Sequence, residues 1–171
     1  MYRKLIFVLF VAVIGTSCLK NNNNNNNSCP YKPTTINISA SERAAIDAYI
    51  DTNNIEATQD RSGFYYQIIT PGTGTDSVTL CSQVQISYKG QLINDSTFDQ
   101  QNNAVFVLGA LIEGWRRGIP KLKKGGEIKL YIPPTLGYGS TDITDQSGKV
   151  VIPKNSILKF DVKLTDYTAG N

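Results

Sequence analysis

The chain has 171 residues, a length suited to one domain with a leader, and its 17 lysines and arginines nearly balance 14 aspartates and glutamates. No basic stripe alternates with aromatic residues in the sequence, so we exclude nucleic acid as the partner. The chain has three cysteines and no histidine, and the distance between Cys29 and Cys81 in the sequence is not that of a zinc site.

Residues 1–17 have the pattern of a secretory signal peptide. A basic start precedes an apolar run over residues 5–14 and small residues before Cys18. The run is too short to span a bilayer, which needs about 20 apolar residues. A cysteine directly after Gly-Thr-Ser is similar to the lipobox of bacterial lipoproteins, although Gly15 stands where that motif usually has leucine. We therefore expect lipidation of Cys18, with an ordinary signal peptide and an incidental cysteine as the alternative.

Residues 18–38 are expected to form a flexible tether. Seven consecutive asparagines, residues 21–27, cannot bury the apolar surface that would offset their ordering entropy. The alternative is that the asparagine run seeds β-aggregation, but the run is short for that behaviour.

Two cysteines remain once Cys18 carries lipid. Cys29 and Cys81 then make an even pair in an oxidising compartment. They either form a disulfide that ties the leader to the domain or stay two unpaired thiols.

Residues 39–62 are predicted to hold a helix and a linker. Ser39 fits the N-cap of a capping box, and Glu42 fits its third helical position. Residues 43–55 then carry Ile46, Ile50 and two further apolar residues at helical spacing. The pattern indicates a short amphipathic helix that packs on the following domain as a spacer.

From Gly63 onward the pattern changes to strands around one helix. Aromatic, β-branched or alternating residues predict strands at 64–69, 84–88 with an extension past a bulge over 91–93, 104–108, 127–132 and 157–164. Apolar residues at helical spacing predict a helix over 111–122, ended by Gly125 and Gly126. Several strands and one central helix indicate the α+β class, with a twisted antiparallel sheet wrapped on the helix.

One stretch of this domain, residues 114–139, has an uncommon combination of motifs. It places Trp115 before a Gly-Gly pair, an alternating strand, Pro133-Pro134 and Gly137-Tyr138-Gly139. Elsewhere in the domain stand Tyr88-Lys89-Gly90, Thr97-Phe98-Asp99 and Val151-Ile152-Pro153. In order and spacing these motifs resemble the FK506-binding-protein (FKBP) family of peptidyl-prolyl isomerases. The resemblance implies an FKBP-type domain over residues 63–168, a half-barrel sheet curled around a short central helix.

The resemblance also implies an apolar pocket for a prolyl peptide between the sheet and the helix. The residues implied to act in catalysis are Tyr88, Phe98, Asp99 and Tyr138, and those implied to bind substrate are Phe106, Leu111, Ile112, Trp115, Ile152 and Phe160. Trp115 would form the floor, and Tyr88 would stand beside Phe98. The Tyr138 hydroxyl and the Ile112 N–H would hold substrate carbonyls. Taken singly, each aromatic residue would be an ordinary core residue; their combined order favours a site.

Such a site suits prolyl isomerisation and implies no cofactor or metal. Rotation about a peptide bond crosses a barrier of about 18–20 kcal/mol set by amide resonance. The twisted transition state is less polar than the planar amide, so an apolar pocket favours it relative to water. Because no nucleophile or acid–base pair takes part, the absence of histidine is no obstacle.

Departures from the family pattern concern pocket depth and substrate choice. Ala104 stands where many active members carry a second aromatic residue, two positions before Phe106, and no arginine is placed to partner Asp99. The segment 109–111 is about one residue shorter than in many relatives, and the loop 141–149 is longer.

The expected function is an isomerase that accelerates folding of exported proteins in the bacterial cell envelope. It would sit on the periplasmic side of the outer membrane, held through its lipid anchor only. Its partners would be prolyl-containing polypeptides, with FK506-like macrolides as family ligands. The alternative, favoured by Ala104, is an FKBP-fold peptide-binding chaperone or assembly module with little or no isomerase activity. A third hypothesis, a β-rich surface lipoprotein outside this family that binds another ligand, would not explain the order of the motifs.

Overall fold

The computed structural model describes residues 29–170. The predicted signal peptide, Cys18 and the asparagine run lie outside the described residues, so those expectations stay predictions. None of the helices within residues 29–170 is long and apolar enough to cross a membrane.

The described chain folds as one six-stranded antiparallel sheet with two helices and a separate hairpin. The helices are α1 (Ala40–Thr52) and α2 (Glu113–Gly118), and the strands are β1 (Thr58–Gln59), β2 (Tyr65–Thr70), β3 (Gln83–Leu92), β4 (Thr97–Val107), β5 (Glu127–Ile132), β6 (Ile143–Thr144), β7 (Val150–Ile152) and β8 (Leu158–Thr168). Short 3-10 turns cover Leu108–Ala110, Ile119–Lys121 and Pro134–Leu136. The sheet has the order β1-β2-β5-β8-β3-β4, and β6 pairs with β7 in the hairpin.

Helix α1 begins at Ala40 because Ser39 caps it. The Ser39 hydroxyl accepts the Glu42 N–H at 3.1 Å, and the Glu42 carboxylate accepts the Ser39 N–H at 3.0 Å, which completes the predicted capping box. Two isoleucines on one face, Ile46 and Ile50, are buried against Tyr131 and neighbouring apolar residues. The predicted N-terminal helix is therefore confirmed, and it packs on the sheet.

Strands β3 and β4 differ in how well the sequence predicts them. The predicted segment 84–88 and the first two residues of its predicted extension over 91–93 belong to one strand, β3, which ends at Leu92. Its pairing with β4 shifts between Gly90 and Gln91, where a bulge was expected. Strand β4 begins at Thr97 rather than at residue 104, and its polar residue Gln100 pairs opposite Lys89. Because β4 is an edge strand, polar side chains suit it and weaken the apolar pattern on which the prediction depends.

Helix α2 is shorter than the predicted helix over residues 111–122. It spans Glu113–Gly118 only, and the following turn contains Pro120, which has no N–H and whose ring clashes with the carbonyl four residues earlier in a continued helix. The expected stop at Gly125 and Gly126 is therefore wrong.

Two glycines let α2 lie directly on the sheet. A Cβ atom at Gly114 would come within 2.5 Å of Ile132, and one at Gly118 would come within 2.6 Å of Leu130. Ile132 and Leu130 both belong to β5, so the two glycines of α2 lie directly on this strand, with no room for side chains between helix and strand. The buried core then closes around Trp115 and Ile119.

Residues 29–39, which we call the leader strap, have no regular secondary structure and lie against the domain. Cys29 and Cys81 form a disulfide with Cα atoms 5.7 Å apart. Ile38, at the other end of the leader strap, is buried in the core. The leader strap is thus held at both ends, although the sequence places residues 29–38 in the expected tether.

Candidate active site

Five aromatic residues from three strands and α2 meet in one cluster. The Trp115 ring lies edge-on to Phe160 and to Tyr88, with centroids 5.1 Å and 5.0 Å away. Phe98 packs edge-on against Phe160 at 5.6 Å, and Phe106 lies 6.5 Å from Trp115. Edge-to-face pairs at these distances are the favoured geometry of aromatic rings. We call this set the aromatic cluster.

Register and one glycine bring the strand residues of the cluster together. Gly90 on β3 pairs opposite Phe160 on β8 and opposite Asp99 on β4. A Cβ atom at Gly90 would lie 2.6 Å from the Phe98 ring and 2.8 Å from the Phe160 ring. The glycine of the Tyr88-Lys89-Gly90 motif is therefore required for these two rings to meet in front of the sheet.

The hydroxyl of Tyr88 is bonded to the carboxylate of Asp99. It donates to Asp99 Oδ2 at 2.5 Å. Burial, and then this hydrogen bond, raise the pKa of Tyr88 above its usual range. Burial also raises the pKa of Asp99, although the hydrogen bonds from Tyr88 and from the Gln100 N–H act in the opposite direction. Tyr88 therefore stays protonated at neutral pH, and its hydroxyl is already in use.

Tyr138 presents a second phenol beside this pair. Its pKa is raised by burial and by the charge of Asp99, so it too stays protonated. No hydrogen bond of its hydroxyl is found within residues 29–170, and Tyr138 packs on the edge of the core. Gly139, with φ of 61°, turns the chain directly after it, and its N–H donates to the Pro134 carbonyl at 2.8 Å. The Tyr138 hydroxyl is thus an available donor.

Ile112 offers a second available donor at the start of α2. It occupies the N-cap position with extended backbone, φ −58° and ψ 151°. Its carbonyl accepts the N–H groups of Trp115 and Arg116 at 3.0 Å and 3.1 Å, whereas its own N–H has no acceptor within the described part of the chain. The side chain of Ile112 is partly buried and packs against the core.

The other expected site residues lie in the same core. Leu111 and Ile152 are 8% and 2% exposed, so they support the cluster from within the core. Ile152 belongs to β7 and pairs with Ile143 on β6, so the loop expected over residues 141–149 contains a small hairpin. Tyr88 was expected beside Phe98. Its ring packs on Trp115, and its hydroxyl donates to Asp99, the residue that follows Phe98.

One charged residue beside the cluster was absent from the sequence prediction. Glu113 is only 9% exposed, and its carboxylate accepts hydrogen bonds from Arg116 and Arg117, both at 2.8 Å. The signal in the sequence was the spacing of opposite charges three and four residues apart on either side of Trp115.

Comparison with known proteins finds relatives of the domain that holds this site. A family model described as FKBP-type peptidyl-prolyl cis-trans isomerase matches residues 74–165. The chain is 42% identical over 109 residues to the FKBP-type peptidyl-prolyl cis-trans isomerase FkpA of Buchnera aphidicola subsp. Schizaphis graminum, which covers 61% of this chain and 41% of that protein. It is 41% identical over 112 residues to FkpA of Escherichia coli K12, covering 61% and 38%. The chain thus spans about two fifths of the length of these relatives.

A solved structure agrees with the fold. The crystal structure of FkpA from Escherichia coli superimposes with a TM-score of 0.65 at 34% identity, over 77% of this chain and 62% of that one. This likeness confirms the predicted α+β class with a half-barrel sheet around a short helix.

Proposed function

The chain belongs to the family of FKBP-type peptidyl-prolyl cis-trans isomerases, and we propose that it catalyses the isomerisation of prolyl peptide bonds. The observation that carries the proposal is the aromatic cluster, in which Trp115 is 5% exposed and enclosed edge-on by neighbouring rings. Two donors that have no acceptor among residues 29–170, the Tyr138 hydroxyl and the Ile112 N–H, accompany the cluster. An apolar surface with a few hydrogen-bond donors suits a proline ring and its flanking carbonyls.

The chemistry needs only such a surface. Twisting the prolyl bond destroys amide resonance and reduces charge separation, so the transition state is less polar than the planar peptide. An apolar site stabilises that state relative to water. The Tyr138 hydroxyl and the Ile112 N–H would hold carbonyls on either side of the rotating bond, and the Tyr88–Asp99 hydrogen bond would fix the rings around it.

We assign the substrates to prolyl-containing polypeptides among exported proteins, with FK506-like macrolides as competing ligands. The proposed place of action is the cell envelope, with the chain anchored through lipid on Cys18. The Cys29–Cys81 disulfide supports this location, because structural disulfides persist in oxidising compartments. The apolar run over residues 5–14 followed by Cys18 supports the anchor.

A protease-coupled isomerisation assay on the full chain tests the proposed activity. We expect the chain to speed cis–trans conversion of an Ala-Leu-Pro-Phe peptide above the buffer rate and FK506 to suppress that acceleration. The variant Asp47→Asn is a suitable control, since Asp47 lies on α1 and accepts a hydrogen bond from Tyr65 away from the cluster. A chain that binds the peptide without speeding its isomerisation would instead be a peptide-binding module.

A further inference from the structure

Glu113 is a buried carboxylate with more partners than its place on a short helix requires. Oε1 accepts Arg117 Nε and Oε2 accepts Arg116 Nη1, both at 2.8 Å. The hydroxyl of Thr34, 79 residues away in the sequence, also donates to Oε1. A buried charge is costly unless it is paired and hydrogen-bonded, and here both carboxylate oxygens are occupied.

The same two arginines extend the contact to the backbone of the leader strap. Arg116 Nη2 donates to the Lys32 carbonyl at 2.5 Å, and Arg117 Nη2 donates to the Thr34 carbonyl at 2.8 Å. The Tyr31 ring lies on the 3-10 turn that precedes α2, where a Cβ atom at Gly109 would fall 2.2 Å from it. The leader strap therefore lies across both α2 and the turn that leads into it.

Helix α2 depends on such contacts for its orientation. It has only six residues, whereas isolated helices shorter than about 12–15 residues are marginal in water. On its inner side, Gly114 and Gly118 seat it on β5. On its outer side, the Glu113 network ties it to the leader strap. Ile112 and Trp115, which provide a donor and the centre of the aromatic cluster, lie one and two residues from Glu113.

We propose that Glu113 is a positioning residue for the isomerase site, and that it sets the orientation of Ile112 and Trp115 by joining α2 to the leader strap. This inference rests on the proposed function. It adds a segment that the family match does not include, since that match begins at residue 74 and the leader strap ends at residue 39. The site is thus built from the family domain together with a part of the chain that precedes it.

Two variants and one control test the inference on the full chain. Glu113→Gln removes the charge between the two arginines, and Thr34→Val removes one hydroxyl and keeps the shape of the side chain. Asp47→Asn is the matched control, since it also alters a carboxylate that accepts a hydroxyl hydrogen bond, at 2.8 Å, on a different helix. The readouts are the backbone amide NMR signals of Ile112 and Trp115, the fluorescence of Trp115, which is the sole tryptophan, and affinity and turnover for a prolyl peptide.

We expect Glu113→Gln to shift both amide signals, to change the Trp115 fluorescence while the chain is still folded, and to lower kcat/KM by between about fivefold and a hundredfold. Thr34→Val should act in the same direction with a smaller effect, and it decides the test if Glu113→Gln does not fold. Asp47→Asn should change none of these. Variants that lose stability but keep the Ile112 and Trp115 signals and the peptide affinity of the wild type would overturn the inference. If the wild type binds the prolyl peptide without speeding its isomerisation, the proposed activity is rejected. The inference about Glu113 can still be judged in that case, because the amide signals and the peptide affinity report on it.

Discussion

The Tyr88 hydroxyl and the Asp99 carboxylate, on adjacent strands, share a 2.5 Å hydrogen bond that closes one side of the aromatic cluster. Because this bond occupies the Tyr88 hydroxyl, the phenol near Asp99 that has no hydrogen-bond partner within residues 29–170 is that of Tyr138. We therefore expect different roles for the two tyrosines: Tyr88 would hold the strands and rings in place, whereas Tyr138 would donate to a ligand.

Tyr138→Phe should lower kcat/KM for a prolyl peptide by about fivefold, because it deletes one neutral hydrogen bond worth about 1 kcal/mol. Stability should change little, since the hydroxyl has no partner in the described part of the protein. Tyr65→Phe is the matched control, because it deletes a phenol hydroxyl that donates to Asp47. Equal activity of Tyr138→Phe and wild type in the protease-coupled assay would remove Tyr138 from the site.

Phe98→Ala should lower kcat/KM by well over tenfold and weaken FK506 binding. Phe98 is 7% exposed and packs on Phe160, and removing a buried aromatic side chain typically costs about 3–5 kcal/mol. Phe64→Ala serves as the control, because Phe64 is fully buried in the same core and is not part of the aromatic cluster. Both variants should unfold at lower urea concentration, whereas only Phe98→Ala should lose activity while folded. Parallel losses in both would assign Phe98 to the core alone.

Reduction of the Cys29–Cys81 disulfide should lower the free energy of unfolding by about 2–4 kcal/mol. The bond joins residues 52 apart in the sequence, so it constrains the unfolded chain strongly. The intact mass of protein purified without reductant should show the loss of two hydrogens, and urea unfolding with and without reductant measures the free energy. Two alkylatable thiols at these positions before reduction would contradict the prediction.

Acid should destabilise the fold through Glu113. Burial alone would raise the pKa of Glu113, but Thr34, Arg117 and Arg116 outweigh it and hold that pKa below the ordinary 4.5. A carboxyl group with a lowered pKa in the folded state contributes stability above its unfolded pKa, and that stability is lost as the pH falls through the folded value. Wild type should therefore lose free energy of unfolding as the pH falls below 4.5, and Glu113→Gln should lose less of it. Urea unfolding across this pH range makes the comparison, and identical slopes would contradict it.

Cys18→Ala should abolish incorporation of labelled fatty acid and release the chain from membranes. Stable anchoring needs more than one acyl chain, since a single one binds only marginally. Metabolic labelling followed by membrane fractionation tests this, with Cys29→Ala as the control that should keep its label. Label of equal strength in Cys18→Ala and wild type would reject the anchor.

Local pattern was enough to predict the elements whose signals lie within a few residues. Strand β5 has the predicted bounds because polar and apolar residues alternate over its first four positions, and α1 follows its capping box. The first half of β4 escaped prediction because an edge strand tolerates polar residues such as Gln100 and Gln101. Pro120 indicated that α2 ends early. The helical spacing of apolar residues over 111–122 favoured a longer helix, and the prediction followed that spacing.

Prediction of the site required information from residues that are far apart in the sequence. The aromatic residues were identified through the order of family motifs, since each one alone looks like an ordinary core residue. The contact of Tyr88 with Trp115 and the hydrogen bond between Thr34 and Glu113 have no local signature. The first depends on how α2 packs on the sheet, and the second joins residues 79 apart in the sequence.

The position of the disulfide determines how the domain bears mechanical load. Cys29 is bonded to Cys81, which stands just before β3, a strand flanked by β4 and β8. A pull on the chain ahead of Cys29 therefore passes across the disulfide toward β3, a strand that is hydrogen-bonded on both sides. Residues 30–80, including the rest of the leader strap and α1, lie in the covalent loop that the bridge closes and carry no tension. A domain held at its N-terminal end would thus keep α1 and the rest of the leader strap free of load, including the Thr34 contact with α2.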